Sequence, residues 1–135
     1  VSEANIDVSE MLVDFVRREA DLPAYPGACC RMADKWVVER LGLSTLTQFG
    51  RDFTTDEDVR DWLAEPGGIA VAVNRVMRKN GFSKTSQPQA GDVGLVIHKQ
   101  RLCMAVCTGS GWLSRDEDGL IGVPIDAIWK AWRIE

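Results

Sequence analysis

A single histidine, His98, serves the whole 135-residue chain. Any reaction that needs an imidazole must therefore use it. One histidine also cannot complete a Cys2His2 zinc site. The four cysteines, Cys29, Cys30, Cys103 and Cys107, lack the usual zinc spacing and are too few for a disulfide scaffold. No metal or cofactor is expected, and the default is reduced thiols in a cytosolic product. Basic residues are outnumbered, 16 against 20 acidic, for a net charge of −4 and a pI near 5.0. Nucleic acid is thus not an expected partner, and no polybasic segment addresses an anionic membrane. Apolar runs such as Ile69 to Val73 are far short of the ~20 residues that span a bilayer. Residues 1–7 show no basic stretch leading into an apolar one, so no signal peptide is expected and the chain should be soluble where it is made. Gly67-Gly68 and Gly109-Ser-Gly111 make no phosphate loop. Asp56-Glu57-Asp58 and Asp116-Glu117-Asp118 lack the spacing of a calcium loop.

What is present suits a packed domain. Apolar residues make up 45% of the chain, which carries five tryptophans, and the length fits one domain. Asp7 with Glu10 forms a capping-box pattern, and Val8, Met11, Leu12, Phe15 and Val16 follow as one helical stripe. The stretch Asp21 to Gly27 breaks that helix. A second helix is predicted from about Ala28 to Leu41, stopping at Gly42. On it Cys29, Ala33, Trp36 and Val37 share a face. Thr54 with Glu57 predicts a third helix over Thr55 to Ala64, and a fourth runs from Ile69 to Lys79.

Ser83 to Ala90 is polar, contains Pro88 and reads as a linker. From Gly91 the apolar period falls to about two. Val93 to Ile97 and Leu102 to Cys107 flank His98-Lys-Gln-Arg101 as a hairpin. Trp112 to Ser114, Leu120 to Val123 and Trp129 to Ile134 are further strands, separated by turns at 108–111 and 115–119 and by a helical turn over Pro124 to Ile128. The class is α+β: a helical part at 1–82, a linker at 83–90 and an antiparallel sheet at 91–135. Trp112, Trp129 and Trp132 cluster in the β half, where an exposed aromatic would suit an interface. The final strand offers a possible edge for pairing.

The sharpest local feature is Pro26-Gly-Ala-Cys29-Cys30-Arg-Met-Ala-Asp-Lys-Trp36. It sets thiols in the first turn of a helix, where partial positive charge favours a thiolate. The plainer account is two small buried hydrophobes. Cys103 and Cys107, four apart on a strand, face one side, with Leu102, Met104 and Val106 on the other. Core packing accounts for both, although a Cys29–Cys103 pair would point to redox chemistry.

Together, the Cys-bearing helix, Pro88-Gln-Ala-Gly-Asp-Val-Gly-Leu-Val96 and Leu102-Cys-Met-Ala-Val-Cys-Thr-Gly109 resemble the NlpC-type branch of papain-like cell-wall peptidases. With the ending Ala131-Trp132-Arg133-Ile134, the chain more closely resembles small NlpC-like proteins from tail gene clusters of tailed phages and prophages. The resemblance runs from about residue 8 to the end and implies a papain-like fold. It sets Cys29 at the nucleophile position, Cys30 in place of a small serine and Ala28 in place of an aspartate. It sets Cys103 where the family has its catalytic histidine, and Ser114 near the orienting polar residue. The dyad is therefore absent as such. His98, five residues earlier beside a turn, is read as an exposed hairpin residue, with a shifted Cys29–His98 dyad as the alternative.

The resemblance implies a tail-associated structural or assembly component, present in the host cytoplasm and then in the virion tail. Other tail proteins are the implied partners, with peptidoglycan a further one. The competing expectations are an active cysteine hydrolase cutting peptidoglycan peptides and a small binding or immunity-like protein.

Overall fold

Apolar residues at Val8, Leu12 and Phe15 recur at helical spacing, and all three are buried on one face of the first helix. The computed structural model describes residues 3–134, with side chains from Val8 to Ile134. Five helices come first: α1 (Glu3–Ala20), α2 (Ala28–Leu41), α3 (Thr45–Phe49), α4 (Asp56–Leu63) and α5 (Gly68–Lys79). Six strands follow: β1 (Ser83–Thr85), β2 (Val93–His98), β3 (Arg101–Cys107), β4 (Gly111–Asp116), β5 (Gly119–Pro124) and β6 (Ile128–Arg133). They form one antiparallel sheet in the order β1-β6-β2-β3-β4-β5. The architecture is α+β, with the helices preceding the sheet.

Several boundaries differ from the sequence reading. Helix α1 starts at Glu3, ahead of the expected cap at Asp7, whose side chain lies outside the described residues. The box opening α4 is one residue later than expected, at Thr55 and Asp58. Asp58 N donates to Thr55 Oγ1 at 3.0 Å, and the Asp58 carboxylate accepts from the Thr54 and Thr55 amides, both at 3.2 Å. Both frames fit the same pattern, and the Asp58 carboxylate decides between them.

The linker contains strand β1, which pairs with β6 through Ser83↔Arg133 and Thr85↔Ala131. Strand β6 is consequently an interior strand, not a free edge. At 124–128 there is a single turn, in which Ala127 N donates to Pro124 O at 3.1 Å, in place of a helical turn. Helix α3 was not expected. Asp34 holds its start, accepting from Thr45 N and Thr45 Oγ1, both at 2.6 Å, and from Ser44 Oγ at 2.7 Å.

One core lies between helices and sheet, built around Phe15, Trp36, Trp62, Val93, Leu95, Met104 and Trp132. Trp36 Nε1 donates to Gly91 O at 2.8 Å, fixing α2 to the start of the sheet. A second cluster, with Val96, Ala105, Cys107, Trp112 and Val123, covers the other face. There the Trp112 ring lies against Gly94, and small residues at Gly94 and its partner Ala105 leave it room. At Leu95/Val96 the register with β6 shifts, passing from Leu95↔Lys130 to Val96↔Ile128. Trp129 is the residue left over, and it is 46% exposed. It alone of the five tryptophans is largely exposed, as the expectation of a surface aromatic in the β half allowed.

A Cβ at Gly94 would come to 2.8 Å from Trp112 Cη2 and 2.9 Å from Lys130 O. Gly94→Ala should lower stability by about 1–3 kcal/mol, the cost of overpacking a filled site. Urea denaturation checks this, and a change below ~0.5 kcal/mol would mean that the ring moves freely aside.

Candidate functional site

Helix α2 opens without a side-chain cap. Gly27 stands at the N-cap with φ 62°, a left-handed conformation that glycine adopts without strain. A Cβ there would collide with the Phe53 ring, so glycine is needed for space as well. The first turn thus presents its amides and the thiols of Cys29 and Cys30 to a cleft. The cleft occupies about 680 Å³ between this turn, the β2–β3 hairpin and the end of β4.

The cleft brings together all four side chains singled out from the sequence: Cys29, Cys30, His98 and Cys103. Cys29 and Cys30 sulfurs are 4.0 Å apart. The Cys103 thiol, which shares the cleft, and the Met104 amide also act on the Cys29 thiol. Both favour a thiolate on Cys29, but the Cys30 thiol and burial outweigh them and push the group well above its ordinary range. The Cys29 thiol, then burial, pushes Cys103 up as well. Cys29 therefore lacks the activated thiolate that a helix N-terminus alone would favour.

His98 departs from its expected place as an exposed hairpin residue. Its side chain is 25% exposed and turned into the cleft, with Nε2 at 3.8 Å from Asp116 Oδ2. That is beyond hydrogen-bond distance, and Nε2 has no hydrogen-bond partner among the described residues. No hydrogen bond joins it to a thiol among those residues. The two-residue turn that aims it, Lys99-Gln100, has φ of 49° and 64°, a conformation rare outside glycine, asparagine and aspartate. Ser114 is fully buried and donates to Met104 O at 2.7 Å. It ties β4 to the Met104 carbonyl of β3. Cys107 does not line the cleft and belongs to the second core cluster, against which Cys103 also packs. No group of three or more potential metal ligands occurs among the described residues.

A buried ionic network that the sequence reading missed supports the cleft. Arg115 and Glu19 side chains are each 1% exposed and 3.5 Å apart. Arg115 also donates to three carbonyls: Glu19 O at 2.7 Å, Leu22 O at 2.5 Å and Pro23 O at 3.2 Å. Tyr25 Oη donates to Glu19 Oε1 at 2.7 Å, and Lys35 Nζ bonds the other carboxylate oxygen. Burial, and then the Glu19 carboxylate, raise the Tyr25 phenol well above its usual range. The loop leading to Cys29 is thereby fastened to β4. One signal was available: Glu19 continues the stripe Val8, Leu12, Phe15, where an apolar residue is due.

Residues 5–134 match the family described as "Domain of unknown function (DUF6950)". The chain belongs to this family. No curated protein and no solved structure matches it. The family match spans both the thiol-bearing helix and the sheet, so the cleft lies wholly within the matched residues.

Two predictions follow from the cleft's chemistry. Arg115→Met, which leaves the Glu19 carboxylate buried without its guanidinium, should cost about 3–5 kcal/mol. In a double-mutant cycle with Glu19→Gln the losses should be markedly non-additive, and additive losses would show the pair to be uncoupled. Iodoacetamide should alkylate Cys29 more slowly than a free cysteine at pH 7, and the rate should keep rising through pH 9. That is the sign required for a thiol whose pKa is raised, because only the thiolate reacts. A plateau near neutrality, followed by peptide mapping, would reveal an activated nucleophile instead.

Proposed function

We propose that the chain is an NlpC-type, papain-like domain whose peptidase chemistry has been lost, and that it serves as a structural or assembly component of a phage or prophage tail. The observation that carries the loss of catalysis is that Cys29 shares its cleft with Cys103, the residue that the family resemblance sets in place of the catalytic histidine. A thiol with a raised pKa neither withdraws the Cys29 proton nor delivers one to a leaving amine at neutral pH. Support for the tail role comes from the sequence resemblance: the paired Cys29-Cys30, the Gly91-Asp92 strand entry and the Ala131-Trp132-Arg133-Ile134 ending. The exposed Trp129 gives such a component an apolar contact. On this reading the protein is made in the host cytoplasm, passes into the virion tail and binds other tail proteins.

One observation favours a second reading. His98 opens onto the same cleft as Cys29 and sits near the Asp116 carboxylate, an arrangement from which a displaced dyad could be assembled. Such an enzyme would cut peptidoglycan peptides, with Cys29 as nucleophile and His98 as base.

The two readings separate in one set of assays. The purified chain should release no fragments from peptidoglycan, and neither Cys29→Ser nor His98→Ala should change that baseline. Hydrolysis abolished by both substitutions would replace the first reading with the second. Co-expressed with the other genes of its cluster, the chain should co-sediment with tails or their subassemblies, and Trp129→Ala should weaken that association at least tenfold. A chain that stays free of every tail protein removes the tail role.

A further inference from the structure

At one border of the sheet, like charges are gathered where opposite ones would be expected. Strand β1 is an outer edge, and its Lys84 stands opposite Trp132 of β6. Lys130 lies two residues before Trp132, so the two lysines share one face of the sheet as a diagonal pair. Long side chains reach each other across such a diagonal, and like charges facing across strands are destabilising. Both lysines line an open groove of about 520 Å³ that Ser86 and Trp129 also border, and no carboxylate lines it. Lys130 Nζ stands 5.0 Å from the centre of the Trp129 ring. Neither lysine has a carboxylate partner among the described residues. Repulsion from Lys130, with a lesser push from Arg78 at the end of α5, holds the Lys84 ammonium below its ordinary range. A chain with 20 acidic residues thus leaves this corner positive.

We propose that this groove docks an acidic, extended segment of a partner protein. Carboxylates two residues apart meet Lys84 and Lys130, and an apolar side chain beside them lies on Trp129. The inference deepens the proposed function, resting on it for the partner's origin and on the groove for the partner's chemistry. Alternate side chains of an extended chain are about 7 Å apart, close to the spacing of a diagonal pair. Each carboxylate then faces one ammonium and relieves the repulsion between them. Ser86 adds a hydroxyl donor on the same wall. The net charge of −4 repels an acidic segment from the chain as a whole, so the groove also decides where it lands. A nucleic-acid strand fits less well, because its run of phosphates calls for a basic stripe and the groove offers two lysines. A lone inorganic anion would leave the Trp129 ring uncovered.

The test titrates the whole isotope-labelled chain with a peptide of alternating glutamate and leucine and follows the amide chemical shifts. Saturable shifts are expected at residues 84–86 and 128–131. Affinity should fall at least tenfold between ~50 and ~500 mM salt, as screening of exposed charges requires. The same peptide with glutamine for glutamate should bind at least tenfold more weakly. Lys84→Glu should abolish the shifts and yet raise the urea midpoint of unfolding, because a carboxylate there pairs with Lys130. A merely structural Lys84 would move stability alone. If Lys84→Glu fails to fold, Lys130→Gln decides. Absence of shifts at millimolar peptide, binding indifferent to these substitutions, equal shifts from a single-stranded oligonucleotide, or self-association of the chain through these residues each overturns the proposal. A chain that binds the glutamate peptide but no tail protein loses the tail role and keeps the groove as a docking site. A chain that joins tails with Lys84→Glu as well as without it, and ignores the peptide, keeps the tail role and loses this site.

Discussion

A carboxylate and a guanidinium removed from water, Glu19 and Arg115, hold the two halves of this fold in relation to each other. Such a pair is costly to bury, and it persists only when its remaining valences are met. Here Tyr25, Lys35 and the backbone carbonyls of Glu19, Leu22 and Pro23 meet most of them, and Arg115 Nε is buried without a partner among the described residues. Those carbonyls belong to the end of α1 and the loop that leads into α2. The loop cannot follow its own course, because its peptide oxygens are committed to a side chain of β4. The position of the Cys29 turn is thus set by a contact between distant parts of the chain.

The cleft inherits its form from that arrangement. One wall is the opening of α2, another the β2–β3 hairpin, the third the end of β4 that carries Arg115 and Asp116. Arg115 points inward to the network while its neighbour Asp116 faces His98. Alternation along a strand therefore divides one dipeptide between support and surface chemistry. Ser114, one residue earlier, is buried and holds the Met104 carbonyl of the neighbouring strand.

Much of this was legible in the sequence, and the exceptions have physical causes. The long helices and the β2–β3 hairpin carry clear periodicity, and Gly42 marks the end of α2 well. Helix α3 is too short for a period to develop, and what holds it is Asp34, a residue of another helix. Strand β1 is polar because it is a short outer edge, so nothing in Ser83-Lys-Thr85 alternates. That Cys29 and Cys103 share a cleft was legible only through resemblance to a family, since the residues lie on different elements. His98 was misplaced because its direction depends on a turn formed by Lys99 and Gln100, neither a strong turn residue. Glu19 and Arg115 are ordinary charges when each is seen in its local context. Their burial exists only once both elements are packed.

The position of β6 has a consequence for biosynthesis. Strand β1 leaves the ribosome long before β6, yet β6 is its sole partner in the sheet, and β2 needs β6 on its other side. Through the synthesis of β3, β4 and β5, β2 must therefore carry an open edge beside residues with which it will not finally pair. The helical layer and the hairpin can gather as they emerge, but the sheet closes only by late insertion of a strand into a gap already formed. A nascent chain waiting at that stage exposes backbone donors and acceptors to any extended segment nearby, so its risk of misassociation is concentrated in the interval before residues 128–133 emerge.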